Sequence, residues 1–553
     1  MKTRYKILLA AVTVAPLLVA VVAYWDLQAA PACEGPQARF DPGSPVVSNG
    51  WGLDLTNARA LRADSAALTV ADLPELVLQW AFRFPLWTNK ARSQPAVTAD
   101  TIYVGSQRGW VYALNRHAGC VRWKSRIGAE VRTALTLGEA RPQGERLLFF
   151  GDFFGRAYAL DAATGERVWR TEVDSHRAAT ITGSPVLHEG RLYVPVSSFE
   201  VALPAFPFYG CCTFRGSVVA LDAATGERIW KTYTTEAPQV QGRNALWVRR
   251  WGPSGAPIWS PPTIDTARNR LYVGTGENYS QPTNHLSDAI LALDLTRGEI
   301  VWSRQLTPRD AWNFACAMPG KINCPENPGK DLDFGAPPIL VAGRDGRDML
   351  VAGQKSGVVY GLDPDDEGKI LWTQRLGRGG ALGGVHWSMA ARDGVVYVPI
   401  SDYLTPIPGL DAPEPEDPTM PKMPGLHAVD VATGHVLWST PAVAACSDPD
   451  ACYPGLSAAV TVLRDMVIAA TLDGRVQAYD VSSGRLLWET DTARSFAAID
   501  GRTAMGGAID AGGAIVAGRQ LIVNSGYGLF SEAPGNALLV YGPAGSPPAR
   551  GMP

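Results

Sequence analysis

Short runs of alternating apolar and small or polar residues recur along this chain, each followed by a turn and a second run that ends in tryptophan. The clearest copies are GRAYALDAATGERVW (Gly155 to Trp169), GSVVALDAATGERIW (Gly216 to Trp230) and GRVQAYDVSSGRLLW (Gly474 to Trp488). Period-two alternation, as in AYALD and VVALD, predicts strands, because successive side chains of an extended chain point to opposite faces. The D-x-x-T-G between the runs predicts a hairpin turn with glycine at its left-handed position. The units end at Trp80, Trp123, Trp169, Trp230, Trp302, Trp372, Trp438 and Trp488, spaced from 43 residues (Trp80 to Trp123) to 72 (Trp230 to Trp302). Four short strands repeating at this period predict a β-propeller.

After Trp488 one strand pair remains, including GNALLVYG (Gly535 to Gly542), without a tryptophan-bearing partner. Near the start, LVLQW (Leu76 to Trp80) lacks the strands that should precede it. Joining the two completes a blade and removes exposed sheet edges. The expected fold is therefore all-β, an eight-bladed propeller closed by its N- and C-terminal strands. The repeated tryptophans are expected to pack between blades, so chemistry must lie in what interrupts the repeat. The interruptions are insertions between Trp169 and Trp438, expected to roof one face of the channel, and the proline-rich stretch Leu404 to Gly425 reads as a surface excursion.

Composition narrows the partners. The 553 residues are 46% hydrophobic and carry a net charge of -3, which argues against a nucleic-acid surface. Lys2, Arg4 and Lys6 precede an apolar run from Ile7 to Tyr24 and small residues through Ala32. Residues 1–32 thus read as a secretory signal, or as an uncleaved membrane anchor, and residues 33–553 as one propeller domain. Eight cysteines behind such a segment suggest disulfides in an oxidising compartment. Cys316 with Cys324 and Cys446 with Cys452 would close short loops, leaving Cys33 with Cys120. Adjacent Cys211 and Cys212 pair either with each other or elsewhere. No zinc spacing and no C-x-x-C-H haem motif is present.

Three segments hold polar residues that a strand does not need: VPVSSFE (Val194 to Glu200), IWSPPTIDTARNRLYVGTGENYS (Ile258 to Ser280) and TPRDAWNFACAMPGKINC (Thr307 to Cys324), the last followed by GQKSGVVYGLD with Lys355. With the A-x-D-x-x-T-G-x-x-x-W repeat, these segments make the chain resemble the pyrroloquinoline quinone (PQQ) dependent alcohol dehydrogenases. The GCCTFRG and D-A-W-N-x-A-C phrases look most like the polyvinyl alcohol dehydrogenase branch.

The resemblance implies a bound PQQ and a calcium ion. Glu200, three residues after Ser197, matches one metal ligand, and Glu277 or its neighbour Asn278 matches a second. Trp259 matches the ring beneath the quinone, Thr182 and Ser197 match cofactor-side hydroxyls, and Arg132 matches a contact to a cofactor carboxylate. Lys355 falls where a cation meets the quinone oxygens, and His386 and Trp387 of GGVHW stand at a further cofactor-side position. The family's catalytic carboxylate follows Trp in D-x-W-D, but this chain reads Asp310-Ala311-Trp312-Asn313. An amide cannot act as a base, so Asp310 is the expected base, with Glu277 as the alternative. Ala315, where lanthanide-using relatives carry Asp, favours calcium.

The implied activity is periplasmic oxidation of secondary alcohols, polymeric ones included, to ketones, with electrons passed to a separate cytochrome c. Two other readings compete: a quinoprotein for a small primary alcohol or polyol, and a cofactor-free propeller scaffold of the outer-membrane assembly type.

Overall fold

The D-x-x-T-G turns form because their side chains satisfy their own backbone. In the copy at Asp222, Oδ1 accepts hydrogen bonds from the N–H groups of Ala224 and Thr225 and from Thr225 Oγ1, while Gly226 adopts φ +74°. That glycine leaves bare backbone against which Trp169 of the preceding blade lies. A Cβ there would come within 2.7 Å of the indole. Trp169 Nε1 also donates to Ala223 O at 2.9 Å. The same juxtaposition recurs for Trp80 on Gly119, Trp123 on Gly165, Trp230 on Gly298, Trp302 on Gly368, Trp372 on Gly434 and Trp438 on Gly484. The repeat is thus a lock between consecutive blades, as its burial requires.

The structure, a computed structural model, describes residues 31–61, 67–139, 144–403, 415–444, 452–529 and 532–544. Eight antiparallel sheets of four strands or more are arranged as the blades of a propeller. The closing blade runs Ala514–Ala517, Gln520–Ser525, Ala537–Pro543, then Leu76–Arg83, with Trp80 opposite Val540. The expected closure is therefore present. Cys33 is joined to Cys120, Cys316 to Cys324, and Cys211 to Cys212, which resolves the alternative left open for the adjacent pair. Nearly all of the expected signal, the first part of the proline-rich excursion and Cys446 lie outside the described residues.

The repeat gives no hint of the segment before the first full blade. Val46–Ser48 pairs with Ala96–Thr98, and the chain then crosses the central channel. On the way it exchanges backbone hydrogen bonds with the inner strands of successive blades: Gly50 N to Leu135 O, Ile264 N to Leu55 O, Leu340 N to Thr56 O, Ala391 N to Ala58 O and Leu61 N to Val462 O. This segment plugs the axis. Its Arg59 is fully buried, lies over the Trp51 ring and donates to Val460 O (2.7 Å), Gln94 Oε1 (2.9 Å), Thr461 Oγ1 and Gly512 O (3.1 Å each), and also to Trp51 O.

Candidate functional site

Above the plug the channel is floored by indoles. Trp51 contacts Trp387 (centroids 5.9 Å apart), and Trp387 meets Trp259 edge-on at 5.2 Å. Gly335 lets the backbone close over Trp259, since a Cβ there would lie 1.9 Å from the ring. The site-end turns, which follow the second strand of each blade, supply Glu277 after Arg270–Gly274 and Lys355 after Asp348–Gly353. The loop entering Ile339–Ala342 supplies Asp331 and Asp333.

These side chains converge. Asp333 accepts from Trp259 Nε1 (2.8 Å) and from Glu277 N (2.9 Å), and Lys355 Nζ donates to Asp331 (2.5 Å) and Asp333 (3.4 Å). Carboxylate oxygens of Glu277, Asp331 and Asp333 lie within 4.8 Å of one another, and all three residues are buried. Burial, then the neighbouring Asp333 charge, pushes the Glu277 carboxyl well above its usual range. Burial likewise opposes ionisation of Asp333, but Lys355 and the donors of Glu277 and Trp259 outweigh it and hold that carboxyl low. Glu277 Oε2 is buried with no hydrogen-bond partner. Three hard oxygen donors against one ammonium, with one oxygen orphaned, are what a divalent cation satisfies. The trio therefore fits a metal ion.

Of the expected ligands only Glu277 belongs to this trio. Glu200 does not: its carboxylate is taken by Tyr209 OH (2.7 Å), Thr213 N (2.9 Å) and Phe214 N (2.7 Å), so it clamps the turn carrying Cys211 and Cys212. Asn278 is also committed, donating to Ser254 O and accepting from Asn284 N. The expected base Asp310 stands behind the site, accepting from Leu332 N (3.0 Å) and Asp331 N (3.4 Å), with its carboxyl pushed up by burial to about 6. It positions the carboxylate loop and is not one of the converging groups. Asn313, in the base's motif position, is a buried tie that donates to Tyr279 O and Asn323 O.

Of the remaining predicted residues, His386 and Trp387 contact Trp259, whereas Ser197, Thr182 and Arg132 stand on other blades. Ser197 Oγ lies 3.0 Å from Thr182 Oγ1 and 2.9 Å from Thr180 Oγ1, forming a hydroxyl cluster. Arg132 packs over Phe153 beside Lys90, Arg92 and Glu130, and burial lowers its guanidinium to about 10. Surplus positive charge there suits an anionic group. His386 contacts Trp259 edge-on, and its Nδ1 lies 2.7 Å from Ser457 Oγ, which donates to Asp510 at 2.6 Å.

Sequence reasoning missed Asp331, Asp333, Ser457 and Asp510. The D-x-D spacing in KDLDFG was the available signal, although the convergence comes with a left-handed backbone at Asp331 (φ +60°) and not with strand alternation. Next to the site a cleft of about 930 Å³ opens, lined by Cys211, Gln241, Trp251, Ser280, Asn323 and others.

A family model described as outer membrane protein assembly factor BamB matches residues 78–313 and 355–528. A polyvinylalcohol dehydrogenase from a Pseudomonas species is 39% identical over 90% of this chain and 76% of its own length. Another, from Sphingopyxis sp. strain 113P3, is 38% identical over 92% of this chain and 77% of its own. The crystal structure of quinohemoprotein alcohol dehydrogenase from Comamonas testosteroni superposes with a TM-score of 0.66 at 21% identity, covering 96% of this chain and 85% of that one, a likeness of fold.

Proposed function

This chain belongs to the PQQ-dependent alcohol dehydrogenases, and from that premise we propose that it oxidises secondary hydroxyls of a polyvinyl alcohol-like polymer to ketones, using PQQ and calcium. It is an oxidoreductase acting on CH–OH groups, so the cofactor-free scaffold reading falls away. The observation that carries the proposal is the buried trio of Glu277, Asp331 and Asp333 at the edge of Trp259, with Lys355 across it.

A bound PQQ would supply a two-electron acceptor and a bound cation a Lewis acid. The chain's own residues do the rest. Trp259 offers a planar floor for a conjugated ring. Of the trio, Glu277 and Asp331 would hold the cation, leaving Asp333 beside it for proton transfer, and Arg132, Thr182, Ser197 and His386 would meet the polar edge of the cofactor. Asp333, held ionised beside Trp259 Nε1, removes the hydroxyl proton as the C–H bond breaks. Lys355 keeps that carboxylate charged and oriented.

The expected export signal, together with the disulfides, supports a periplasmic location. A separate cytochrome c is the proposed electron acceptor.

The test is reconstitution with PQQ and calcium, followed by dye reduction with secondary alcohols. Asp333→Asn should lower turnover roughly a thousandfold while the quinone absorbance remains, as expected for loss of a general base. Asp310→Asn should keep a measurable fraction, because its carbonyl still accepts one N–H of the loop. Equal losses in the two variants would return the base to Asp310.

A further inference from the structure

Every exposed aromatic side chain among the described residues sits at the site end of the propeller. Three are covered by arginines: Trp87 by Arg108, Phe154 by Arg156 and Tyr233 by Arg215. Four rings have no such cover: Phe199, Phe206, Phe208 and Trp247, the last three 68%, 77% and 78% exposed. These four lie on two insertions. One follows the strand Arg191–Ser198, and the other is the hairpin of Gln239–Arg243 and Arg249–Gly252. Among the described residues the end occupied by the D-x-x-T-G turns has no exposed ring, so the aromatics are not scattered by chance.

The two insertions form one platform. Asn323 Nδ2 donates to Pro204 O, Phe206 O and Tyr209 O, and its Oδ1 accepts from Asn244 Nδ2, which also donates to Pro207 O at 3.0 Å. Asn323 is itself part of the wall of the 930 Å³ cleft. The bare rings are therefore fixed to the cleft's rim and do not hang on free loops.

We propose that Phe206, Phe208 and Trp247 form a docking shelf for an extended, uncharged polyol chain that feeds the cleft. The inference rests on the polymer reading above. From Val201 to Phe214 the sequence holds no charged residue. The cleft adds neutral donors and acceptors from Gln241, Ser280, Gln281, Thr283, Asn323 and Asn327, with Arg250, Arg309 and Glu326 as its charged groups. Ring faces match methylenes and amides match hydroxyls, as in a chain of alternating CH2 and CHOH units. A long chain gains affinity from contacts remote from the reacting carbon, whereas a short alcohol reaches only the site.

The experiment uses the holoenzyme and compares polyvinyl alcohol with 2,4-pentanediol, using a dye as acceptor. Phe206→Ser, Phe208→Ser and Trp247→Ser should each raise the polymer KM, roughly tenfold for the loss of one stacked ring. The values for 2,4-pentanediol should stay within about twofold. Apo protein should show Trp247-dependent fluorescence change on adding polyvinyl alcohol. Unchanged polymer kinetics in the triple variant would overturn the shelf while leaving secondary-alcohol oxidation standing. Equal losses on both substrates would make the rings structural and overturn it too. A raised KM for cytochrome c, with dye-coupled polymer oxidation unaffected, would reassign the surface to the electron acceptor. Wild type that oxidises 2,4-pentanediol but neither binds nor oxidises the polymer would remove the substrate reading itself.

Discussion

His386 shows how much one proton position decides. Asp510 is a carboxylate and only accepts, so Ser457 donates to it and must accept from His386 Nδ1. That fixes the Nδ1–H tautomer and leaves Nε2 with a lone pair. Burial pulls the imidazole down to about 4, so the ring is neutral at pH 7 and offers an acceptor, not a charge. The 15N spectrum of histidine-labelled apo protein should show this tautomer for the resonance that His386→Gln removes, and Ser457→Ala should shift it toward a mixture. A resonance unchanged by Ser457→Ala would sink the assignment. At this scale the sequence was only half legible. Trp259, Glu277, Lys355 and His386 were readable from motif positions. Asp333 was hidden because D-A-W-N imitates the expected base motif, while the chain returns to the site only at K-D-L-D-F-G, which starts 17 residues after Asn313. Only the fold shows that Asp310 faces the backbone of that loop.

Blade-to-blade locking was legible because tryptophan and glycine recur at fixed offsets within one local phrase. What the phrase does not reveal is that each glycine serves the preceding blade's tryptophan. This makes a separable prediction. Gly226 and Gly501 have nearly the same φ, +74° and +73°, but a Cβ at Gly226 meets the Trp169 indole at 2.7 Å, whereas Gly501 has nothing within 4 Å. Gly501→Ala should cost about 1 kcal/mol from backbone strain alone. Gly226→Ala should cost that plus roughly 1–3 kcal/mol of overpacking. Thermal unfolding of the two variants measures the difference, and equal shifts in Tm would mean that the indole simply moves aside.

For the whole molecule, the axial plug decides whether the ring is a scaffold with a hole or a closed vessel with a floor. It was illegible because its bonds span the chain: Arg59 reaches Gly512, 453 residues away, and nothing in residues 46–61 alternates or repeats. Yet the stack Trp51, Trp387, Trp259 connects this plug to the catalytic end. Burial lowers the Arg59 guanidinium to about 9, a cost that its five acceptors offset. Arg59→Met would strip a donor from each of those buried acceptors, although Trp51 O keeps Gln94 Nε2 and Thr461 Oγ1 keeps Ala514 O, a loss of roughly 3 kcal/mol or more. Tm should fall well beyond the effect of Arg297→Ala, whose side chain is 65% exposed. If the indole stack transmits the plug's position, quinone affinity should fall with it, because Trp259 would lose its support from below. A fall in Tm with unchanged quinone binding would confine the plug to stabilising the ring, and Trp259 would then be held by its other neighbours, Asp333, Gly335, His386 and Trp387.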